Sequence, residues 1–599
     1  MLSTLKTKSI CRNMLLIFFL SIFFSCQKDL SIEDGGTVGA PPDLSTKINS
    51  SVSGFVTDEN DAAVKGATVQ FGTSSITTDK YGYFEAKNVQ VVKEAAVVTV
   101  IKPGYFKGIK TYMAKEGKAA FFRIKLIPKT TVGNINAASG GTVTLPNGLS
   151  IKLKAGTIVN ATTNAQYTGT VNVSAYWINP TAADLNKIMP GDLRGINTDG
   201  NLKLLQTFGM AAVELTGSGG ELLQIVNGQK ATLTMPIPSS LAATAPASIP
   251  LWYFDEAKGL WKEEGNATKT GNSYVGDVGH FSFWSYSLPG PYVQFDCTLK
   301  DAAGNPLPNV FVQIVLAGTF SEGYGYTDAS GFISGPVSAN SQLILYVSPS
   351  FGNCGYFLVQ NFTSTNVDIS LGTVTIVSNL IANISGTITN CNNNPVTNGD
   401  IIMSFIPGYG FCRFAVTNTG AFSFSVILCN NNTVPVTIIA EDQTAQQQST
   451  LQNFNIAVGA NNIGNLQACN ISNAQFINYS IDGTNYSINI PPDTFNFYQV
   501  FPSNIPHTIF TAGQIAGSNT AYIYTDWTGI ALNSLQPLAG FSAAQMLNAS
   551  STNPINVQIT EYGIIGEFIS GNFTGVFTDN PPPNATHNVT CSFRIRRTF

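Results

Sequence analysis

Charged side chains are scarce in this chain of 599 residues. Asp, Glu, Lys and Arg together make up 11% of it, less than half of the roughly 25% that is usual for a soluble protein. The formal net charge is −4, and the basic residues form no patch or stripe along the sequence. A nucleic-acid-binding protein needs a concentrated positive surface, so we predict no nucleic acid among the partners.

Histidine is rarer still: the chain has three, His280, His507 and His587. None stands in the H-x-x-E or H-E-x-x-H spacing that places zinc ligands on one face of a helix. The sequence also has no G-x-S-x-G nucleophile elbow and no phosphate-binding loop. We therefore predict no metal, no cofactor and no enzymatic activity.

Two pairs of adjacent carboxylates leave one enzymatic alternative. Asp255-Glu256 and Glu263-Glu264 lie on one predicted hairpin, and facing carboxylates can serve as acid and base in glycoside hydrolysis. The neighbouring Lys258 and Lys262 favour a solvated turn instead. An unrecognised hydrolase in residues 131–290 or in the last part of the chain stays an alternative.

Long apolar segments are also missing, apart from one short run near the amino terminus. Met14–Phe24 is almost entirely apolar and would rise roughly 16 Å as a helix, about half of a ~30 Å hydrocarbon core. It follows three basic residues, Lys6, Lys8 and Arg12. A positive leader before a short apolar core is typical of a signal peptide, which we place at residues 1–25.

The exit of this apolar run carries one cysteine, Cys26, followed by the charged Lys28 and Asp29. The arrangement resembles the signals of Bacteroidetes-type lipoproteins, which often end in Ser-Cys before a polar stretch. The resemblance implies that Cys26 is the acylated first residue of a mature chain held in the outer membrane and exposed at the cell surface. Residues 26–48 then form a linker. The alternative is a plain secretory signal in which Cys26 is an incidental thiol.

Most other cysteines occur in even-numbered groups, which favours local disulfides in an oxidising compartment. The six candidates are Cys297, Cys354, Cys391, Cys412, Cys429 and Cys469. The first two fall in one predicted module and the last four in the next, and four cysteines allow three connectivities. Cys591 alternates in step with Val589 and Phe593, which predicts a buried core thiol.

Three segments of the chain align with one another without gaps. They are Gly54–Phe71, Cys297–Ile314 and Gly386–Met403. In each segment the residue pattern predicts a strand, a polar turn, a short apolar stretch, a kink in the backbone and a second strand. The kink falls on Gly66, Asn309 and Asn398, which are residue types that tolerate positive φ.

A hairpin follows each copy, with Asp or Asn at the turn start and Gly close before an aromatic residue. The hairpins are Thr77–Phe84, Tyr326–Ile333 and Val416–Phe424. The whole pattern resembles carboxypeptidase regulatory-like domains, which are transthyretin-type β-sandwiches of carbohydrate-binding-like fold. The resemblance implies seven-stranded, non-catalytic modules at 49–130, 291–378 and 379–470, called here the first, second and third repeats.

Residues 131–290, the middle module, have a different β-rich pattern. They resemble an extracellular module of cartilage intermediate layer proteins and, more weakly, the ankyrin and netrin-receptor sandwich. We predict a hairpin that turns at Ala257-Lys258-Gly259, and one short helix around Ala183–Met189 that Pro190 ends.

Residues 471–599, the tail module, resemble the C-terminal β-module of other Bacteroidetes lipoproteins. Asp482-Gly483 predicts a tight hairpin. Ser542–Ala549 predicts a helix with Ser542 as its N-cap.

Three tryptophans of the middle module, Trp252, Trp261 and Trp284, are candidates for ligand binding. Exposed tryptophan faces stack against sugar rings, so the three could form a glycan platform. Large aromatic side chains mostly fill sandwich cores, however, and the alternation in HFSFW favours the core.

Together these features predict an all-β chain of tandem β-sandwich modules, joined as an extended string with free surfaces. The predicted function is that of a non-enzymatic, membrane-anchored surface lipoprotein, a scaffold for binding or adhesion. Its predicted partners are the membrane, through the lipid, and glycans or other surface proteins. The alternative function is a glycan-binding accessory protein of a polysaccharide-uptake system.

Overall fold

The structure, a computed structural model, describes most of the chain after residue 40. The described range is 41–596 with gaps at 318–320, 350–354, 406–410, 470, 473, 491–493, 501–506, 514–519, 526–533, 547–548, 552, 563–567 and 581–584. Cys26, Cys354 and the predicted signal peptide lie outside it. Almost all of the described secondary structure is strand, which confirms the predicted all-β class. Over the same residues, no helix has the length and apolarity needed to span a bilayer.

The first repeat is a sandwich of two sheets. Its strands are β1 (Lys47–Thr57), β2 (Thr68–Phe71), β3 (Ser74–Thr77), β4 (Tyr83–Val92), β5 (Ala96–Ile101), β6 (Gly108–Tyr112) and β7 (Ala119–Lys125). Strand β1 pairs antiparallel with β4 and parallel with β7, and β3-β2-β5-β6 form the facing sheet. Alternate residues such as Val52, Val56 and Val69 point between the sheets and form the core, as the period of a half-buried strand requires.

The middle module is one hydrogen-bonded sheet of thirteen strands. They are β8 (Thr131–Asn136), β9 (Gly141–Thr144), β10 (Ser150–Leu153), β11 (Ile158–Asn160), β12 (Thr170–Ile178), β13 (Arg194–Ile196), β14 (Leu202–Thr216), β15 (Leu222–Ile225), β16 (Ala231–Pro236), β17 (Ser248–Asp255), β18 (Leu260–Thr270), β19 (Ser273–Val278) and β20 (Phe283–Gly290). The predicted short helix is present as α1 (Leu185–Ile188) and ends before Pro190. A 3₁₀ turn spans Ser239–Leu241.

The second repeat has the topology of the first. Its strands are β21 (Tyr292–Asp301), β22 (Phe311–Leu316), β23 (Ser321–Tyr326), β24 (Phe332–Ser338), β25 (Gln342–Ser348), β26 (Phe357–Thr363) and β27 (Ile369–Ile376). Strand β21 lies between β24 and β27, and β23-β22-β25-β26 are hydrogen-bonded in that order.

The third repeat follows the same plan with two added short strands. Its strands are β28 (Ile381–Thr389), β29 (Gly399–Phe405), β30 (Phe411–Ala415), β31 (Ala421–Ile427), β32 (Val434–Asp442), β33 (Gln447–Gln448), β34 (Gln452–Ile456) and β35 (Gly459–Gln467), with β36 (Ile471–Ser472) pairing with β33. Strand β28 lies between β31 and β35, so the strand pairing repeats three times along the chain.

The tail module is a single long sheet. Its strands are β37 (Gln475–Ile481), β38 (Thr484–Ile490), β39 (Thr494–Val500), β40 (His507–Gly513), β41 (Thr520–Thr525), β42 (Leu535–Ala543), β43 (Ser550–Ser551), β44 (Asn556–Tyr562), β45 (Phe568–Thr578) and β46 (Thr586–Arg596). The predicted hairpin is present, with Asp482 and Gly483 at φ +51° and +82° between β37 and β38. The predicted helix at Ser542–Ala549 is wrong, because Ser542 pairs with Tyr522 inside the sheet.

The first turn of each repeat is closed by the same side-chain hydrogen bonds. Oδ1 of Asp58 accepts from the backbone N–H groups of Asn60 and Ala62, both at 2.9 Å. Asp301 and Asn390 accept from the residues two and four places on in the same way. These bonds explain why the sequence keeps Asp or Asn at this position, since either side chain supplies the acceptor.

The kinks predicted from the repeat are present in two copies. Gly66 has φ +65° and Asn309 has φ +59°, whereas Asn398 is not among the described residues with positive φ. In the third repeat the prediction is therefore wrong. There Gly399 follows directly and lies so close to the backbone of Glu441 that a Cβ would be 2.2 Å from its carbonyl oxygen.

The glycine of each hairpin motif meets a strict geometric requirement. Gly82, Gly331 and Gly420 have φ +72°, +78° and +76°. A Cβ on Gly331 would lie 2.3 Å from the carbonyl oxygen of Leu299, and the other two copies are as crowded against backbone. Only glycine combines this φ with this close approach.

We predict that Gly331→Ala destabilises the protein much more than Gly304→Ala. Gly304 also has positive φ, at +86°, but a Cβ there would meet nothing within 4 Å. The control should therefore cost only the conformational strain, about 1 kcal/mol, while Gly331→Ala adds a backbone clash and should cost roughly 3 kcal/mol or more. Calorimetric unfolding of the two variants measures the difference, and equal losses would show that the hairpin does not have this geometry.

The modules do not form an extended string, and this prediction is wrong. Phe121 of β7 pairs with Tyr326 of β23, which joins sheets of the first and second repeats into one of seven strands. The third repeat also contacts the first, since Nζ of Lys80 donates to Oε1 of Gln448 at 2.6 Å. The physical reason is that the outward faces of several strands carry aromatic residues, and these are buried between modules.

Candidate functional site at the junction of the repeats

The three repeats meet at one cluster of aromatic and apolar side chains, which we call the junction. It consists of Phe55, Tyr81, Tyr83 and Phe121 of the first repeat, Tyr326 of the second, and Ile402, Phe411 and Ile439 of the third. Strand alternation places these residues there. In β1, Val52 and Val56 point into the sandwich core and Phe55 points the opposite way. A second apolar face therefore exists on the same strands, and the neighbouring repeats cover it.

Arg123 lies in the middle of the junction. Its guanidinium is 5.1, 5.7 and 5.8 Å from the ring centroids of Phe55, Phe121 and Tyr326, within the range of cation–π attraction. Nη2 donates to the carbonyl oxygen of Phe411 at 3.1 Å and to Sγ of Cys412 at 3.5 Å. One side chain of the first repeat thus contacts both of the others.

Arg413 is a second cation at the same interface, and it is surrounded by carboxylates. Nη1 lies 3.0 Å from Oδ2 of Asp79 in the first repeat. Nη2 lies 2.9 Å from both Asp400 and Glu441 in its own repeat. Burial opposes the charge of Arg413, but the three carboxylates outweigh this effect and hold its pKa above the ordinary value. The ion pairs are largely shielded from water, so losing one partner is costly.

Lys110 attaches the first repeat to the middle module. Its Nζ donates to the carbonyl oxygens of Asn186 and Met189, both at 2.7 Å. Burial lowers the pKa of Lys110 to about 7. The hydroxyl of Thr111 donates to the carbonyl oxygen of Gly259 at 2.7 Å. Lys110 and Thr111 are therefore hydrogen-bonded across the interface, as is usual for buried polar groups.

The three tryptophans predicted as a glycan platform are all fully buried, so a platform on them is wrong. Trp252, Trp261 and Trp284 each have 0% of their surface exposed. Trp252 and Trp261 pack against Phe106 and Ile109 of the first repeat, while Trp284 lies in the core of the middle module. Nε1 of Trp252 donates to the carbonyl oxygen of Ser287 at 2.9 Å. No ring face is left for a sugar.

Of the three histidines, the structure describes the side chains of two, His280 and His587; that of His507 lies outside the described side chains. His280 packs against Tyr253 and Trp284, with ring centroids 4.6 and 5.2 Å apart, and burial lowers its pKa. His587 lies between two carboxylates, with Nδ1 2.7 Å from Asp482 and Nε2 3.3 Å from Asp579. The hydrogen bond to Asp482 raises the pKa of His587.

The paired carboxylates of the middle module make structural contacts, some local and some with distant parts of the chain, such as the ion pair of Glu256 with Lys107. Oδ1 of Asp255 accepts from the backbone N–H groups of Ala257 and Lys258 in the hairpin turn. Oε2 of Glu263 accepts from the N–H of Thr198 at 3.2 Å. Within the described ranges, no group of three or more His, Cys, Asp or Glu side chains is placed to hold a metal ion.

One of the predicted disulfides is fully described. Cys391 and Cys469 are joined across the third repeat, with their Cα atoms 5.0 Å apart, and Cys429 is also disulfide-bonded. The predictions for Cys297 and Cys412 are wrong, because both are free, buried thiols that face apolar cores. An even number of cysteines within a module was therefore not enough to predict which cysteines form disulfides. Cys591 is a buried core thiol, as predicted.

The two arginines of the junction were not singled out in the sequence. Each stands in a strand next to aromatic residues, in FFRIK and FCRFA. In a chain with so little charge, an arginine at an outward-facing strand position beside aromatics is a signal of a buried interface, because the guanidinium stacks on rings. The alternation of apolar and polar residues along a strand, taken alone, predicts that such a position is exposed to solvent.

Comparisons with known proteins give limited matches. No family model matches the chain. Cartilage intermediate layer protein 2 of Homo sapiens is 31% identical over 110 residues, which are 18% of this chain and 9% of that protein. The chain thus spans less than a tenth of that relative. That human protein is one of the cartilage intermediate layer proteins that residues 131–290 resemble.

Solved structures with partial likeness include two pilins and one further bacterial protein. The shaft pilin spaA of Lactobacillus rhamnosus GG is 10% identical, with TM-score 0.16, over 30% of this chain and 98% of its own. The major pilin subunit BcpA of Bacillus cereus is 7% identical, with TM-score 0.12, over 70% of this chain and 99% of its own. The Bacillus anthracis TIE protein is 10% identical, with TM-score 0.14, over 71% of this chain and 51% of its own. TM-scores this low carry no functional argument.

We predict that Arg413→Met separates the first and third repeats and destabilises the protein by about 3 kcal/mol or more, because it leaves Asp400 and Glu441 buried without their partner. Lys87→Met is the matched control, since the Lys87–Glu85 pair is exposed and its loss should change stability by less than ~0.5 kcal/mol. Thermal unfolding by calorimetry compares the two. Equal effects would show that Arg413 does not hold the interface.

Proposed function

We propose that this protein is a non-enzymatic surface scaffold or adhesion protein, held to the outer membrane by a lipid on Cys26. The observation that carries the proposal is the junction. Modules that are distant in the sequence are packed into one block by Arg123, Arg413 and the aromatic residues around them. A block of this kind presents its outer strands and loops in fixed relative positions, which suits contact with a partner more than turnover of a substrate.

The chemistry of the described residues supports the non-enzymatic part of the proposal. Asp255 and Glu263, which were considered as catalytic carboxylates, accept hydrogen bonds from nearby backbone groups. The two histidines that are described make structural contacts, one with aromatic rings and one with Asp482 and Asp579. Assays of the purified protein with peptide, ester and glycoside substrates test this part directly.

The anchor rests on the sequence, since Cys26 lies outside the described residues. The first described strand begins at Lys47 and Leu44 already packs against the block, so the predicted linker of 26–48 ends a few residues earlier than predicted. Each acyl methylene adds ~0.8 kcal/mol of membrane affinity, so two or more chains give stable attachment.

We predict that cells expressing the protein carry it at their surface with an acylated amino-terminal Cys26. Protease treatment of intact cells should release its peptides, and mass spectrometry of the amino-terminal peptide should detect the lipid. Cys26→Ser should abolish the modification and release the protein to the medium. Cys11→Ser is the matched control, because Cys11 lies inside the leader and should be dispensable. Wild-type protein that is unlipidated and free in the medium would contradict the proposal.

The alternative function, a glycan-binding accessory protein, loses the support that the tryptophans gave it. Trp252 and Trp261 are part of the packing between modules, and Trp284 fills the core of the middle module. A glycan would have to bind elsewhere, on aromatic side chains that are accessible.

A further inference from the structure

A groove lies where the middle module meets the second repeat. Its volume is about 570 Å³, within the range of roughly 300–1,000 Å³ that is common for ligand sites. One wall is formed by the middle module, including Gln206, Thr207 and Leu288. The other is formed by Phe311, Gln313, Tyr324 and Tyr356 of the second repeat.

The aromatic wall comes from the outer face of a sheet. In β22, Val312 and Ile314 point into the core of the second repeat, so Phe311 and Gln313 point outward. Tyr324 of β23 lies directly opposite Gln313 in the register. An outer sheet face of a sandwich is usually polar, and this one is aromatic where it borders the groove.

The rings form a continuous surface. Phe311 and Tyr324 are stacked, with centroids 6.4 Å apart and an interplanar angle of 20°. Tyr356 lies 6.2 Å from Phe311 and is 53% exposed, one of the few large hydrophobic side chains that are so accessible. A flat ring surface open on one side can accept the apolar face of a ligand.

The groove contains no charge. None of the residues that line it is Asp, Glu, Lys, Arg or His. Its polar groups are hydroxyls and amides, among them Thr207, Gln206 and Gln313. The hydroxyl of Thr207 is held in place by Ser285 at 3.1 Å and by the N–H of Gly209 at 3.1 Å. The ligand that matches this lining is uncharged, with apolar faces and many hydroxyl groups.

The strand pairing argues against a peptide that binds as an added strand. An extended peptide binds by adding to an unpaired sheet edge. Strand β22 is paired on both sides, by β23 and β25. Along the groove, β14 is paired with β20 on one side and, as far as Leu204, with β13 on the other. The groove therefore offers side chains and not a row of free backbone groups.

We propose that this groove binds a neutral oligosaccharide, with sugar rings stacked on Tyr356 and Phe311 and sugar hydroxyls hydrogen-bonded to Gln313 and Gln206. The inference rests on the proposed surface function for its biological role. It assigns to the scaffold a ligand class and a site that the buried tryptophans do not supply.

The test is a glycan array with the full-length protein in detergent, followed by calorimetric titration of any glycan that binds. Neutral oligosaccharides should bind in preference to sialylated or sulfated ones. Tyr356→Ala should weaken binding at least tenfold, and Gln313→Ala should weaken it as well. Tyr176→Ala is the matched control, since Tyr176 is 38% exposed but does not line the groove, and it should leave affinity unchanged.

Three outcomes would overturn the inference: no neutral glycan binds, binding survives both groove variants, or an apolar peptide or lipid binds there in place of a sugar. Melting curves of Tyr356→Ala and Gln313→Ala check that both variants fold. The measurement uses purified protein, so its result is independent of where the cell places the chain. Sugar binding without surface exposure would refute the proposed function and leave the groove assignment standing.

Discussion

The structure depends on how two arginines are accommodated where three β-sandwiches meet. Arg123 lies among aromatic rings and donates to the backbone of Phe411. Arg413 lies among three carboxylates, one of which belongs to another repeat. A buried guanidinium is stable only where rings or acceptors replace its water, and no single repeat supplies all of them. Each arginine therefore needs partners from more than one repeat. This need explains why the repeats pack into one block.

The packing of the modules explains why the sequence has so few charged residues. A string of separate sandwiches would expose both outer faces of every module and would need many charged residues to remain soluble. Here Phe55, Phe121 and Trp261 bury outward faces against neighbouring modules. Ionisable side chains at the interfaces, such as Lys110 and Arg413, are hydrogen-bonded or ion-paired across them.

The sequence was sufficient for the parts of the fold that local chemistry determines. The turn carboxylates Asp58 and Asp301 and the Asp482-Gly483 hairpin are determined by residues close by in the sequence, so a local motif reveals them. The hairpin glycines lie against the first strand of their own repeat, so they recur with the repeat. The junction could not be predicted in this way, because Phe121 and Tyr326 are far apart in the chain and alternation does not show which outer face is covered. The cysteines show the same limit: parity suggested a partner for Cys297, but the partner of a thiol is set by three-dimensional distance, and Cys297 faces an apolar core.

The most direct test of this account is zero-length carbodiimide cross-linking of the intact protein, followed by mass spectrometry. Lys115 of the first repeat forms an ion pair with Asp296 of the second, although the whole middle module separates them in sequence. Lys107 and Glu256, 2.7 Å apart, join consecutive modules and serve as an internal control. The account predicts both links in native protein and neither in urea. Formation of the Lys107–Glu256 link without the Lys115–Asp296 link would contradict a packed block and favour an extended chain of modules.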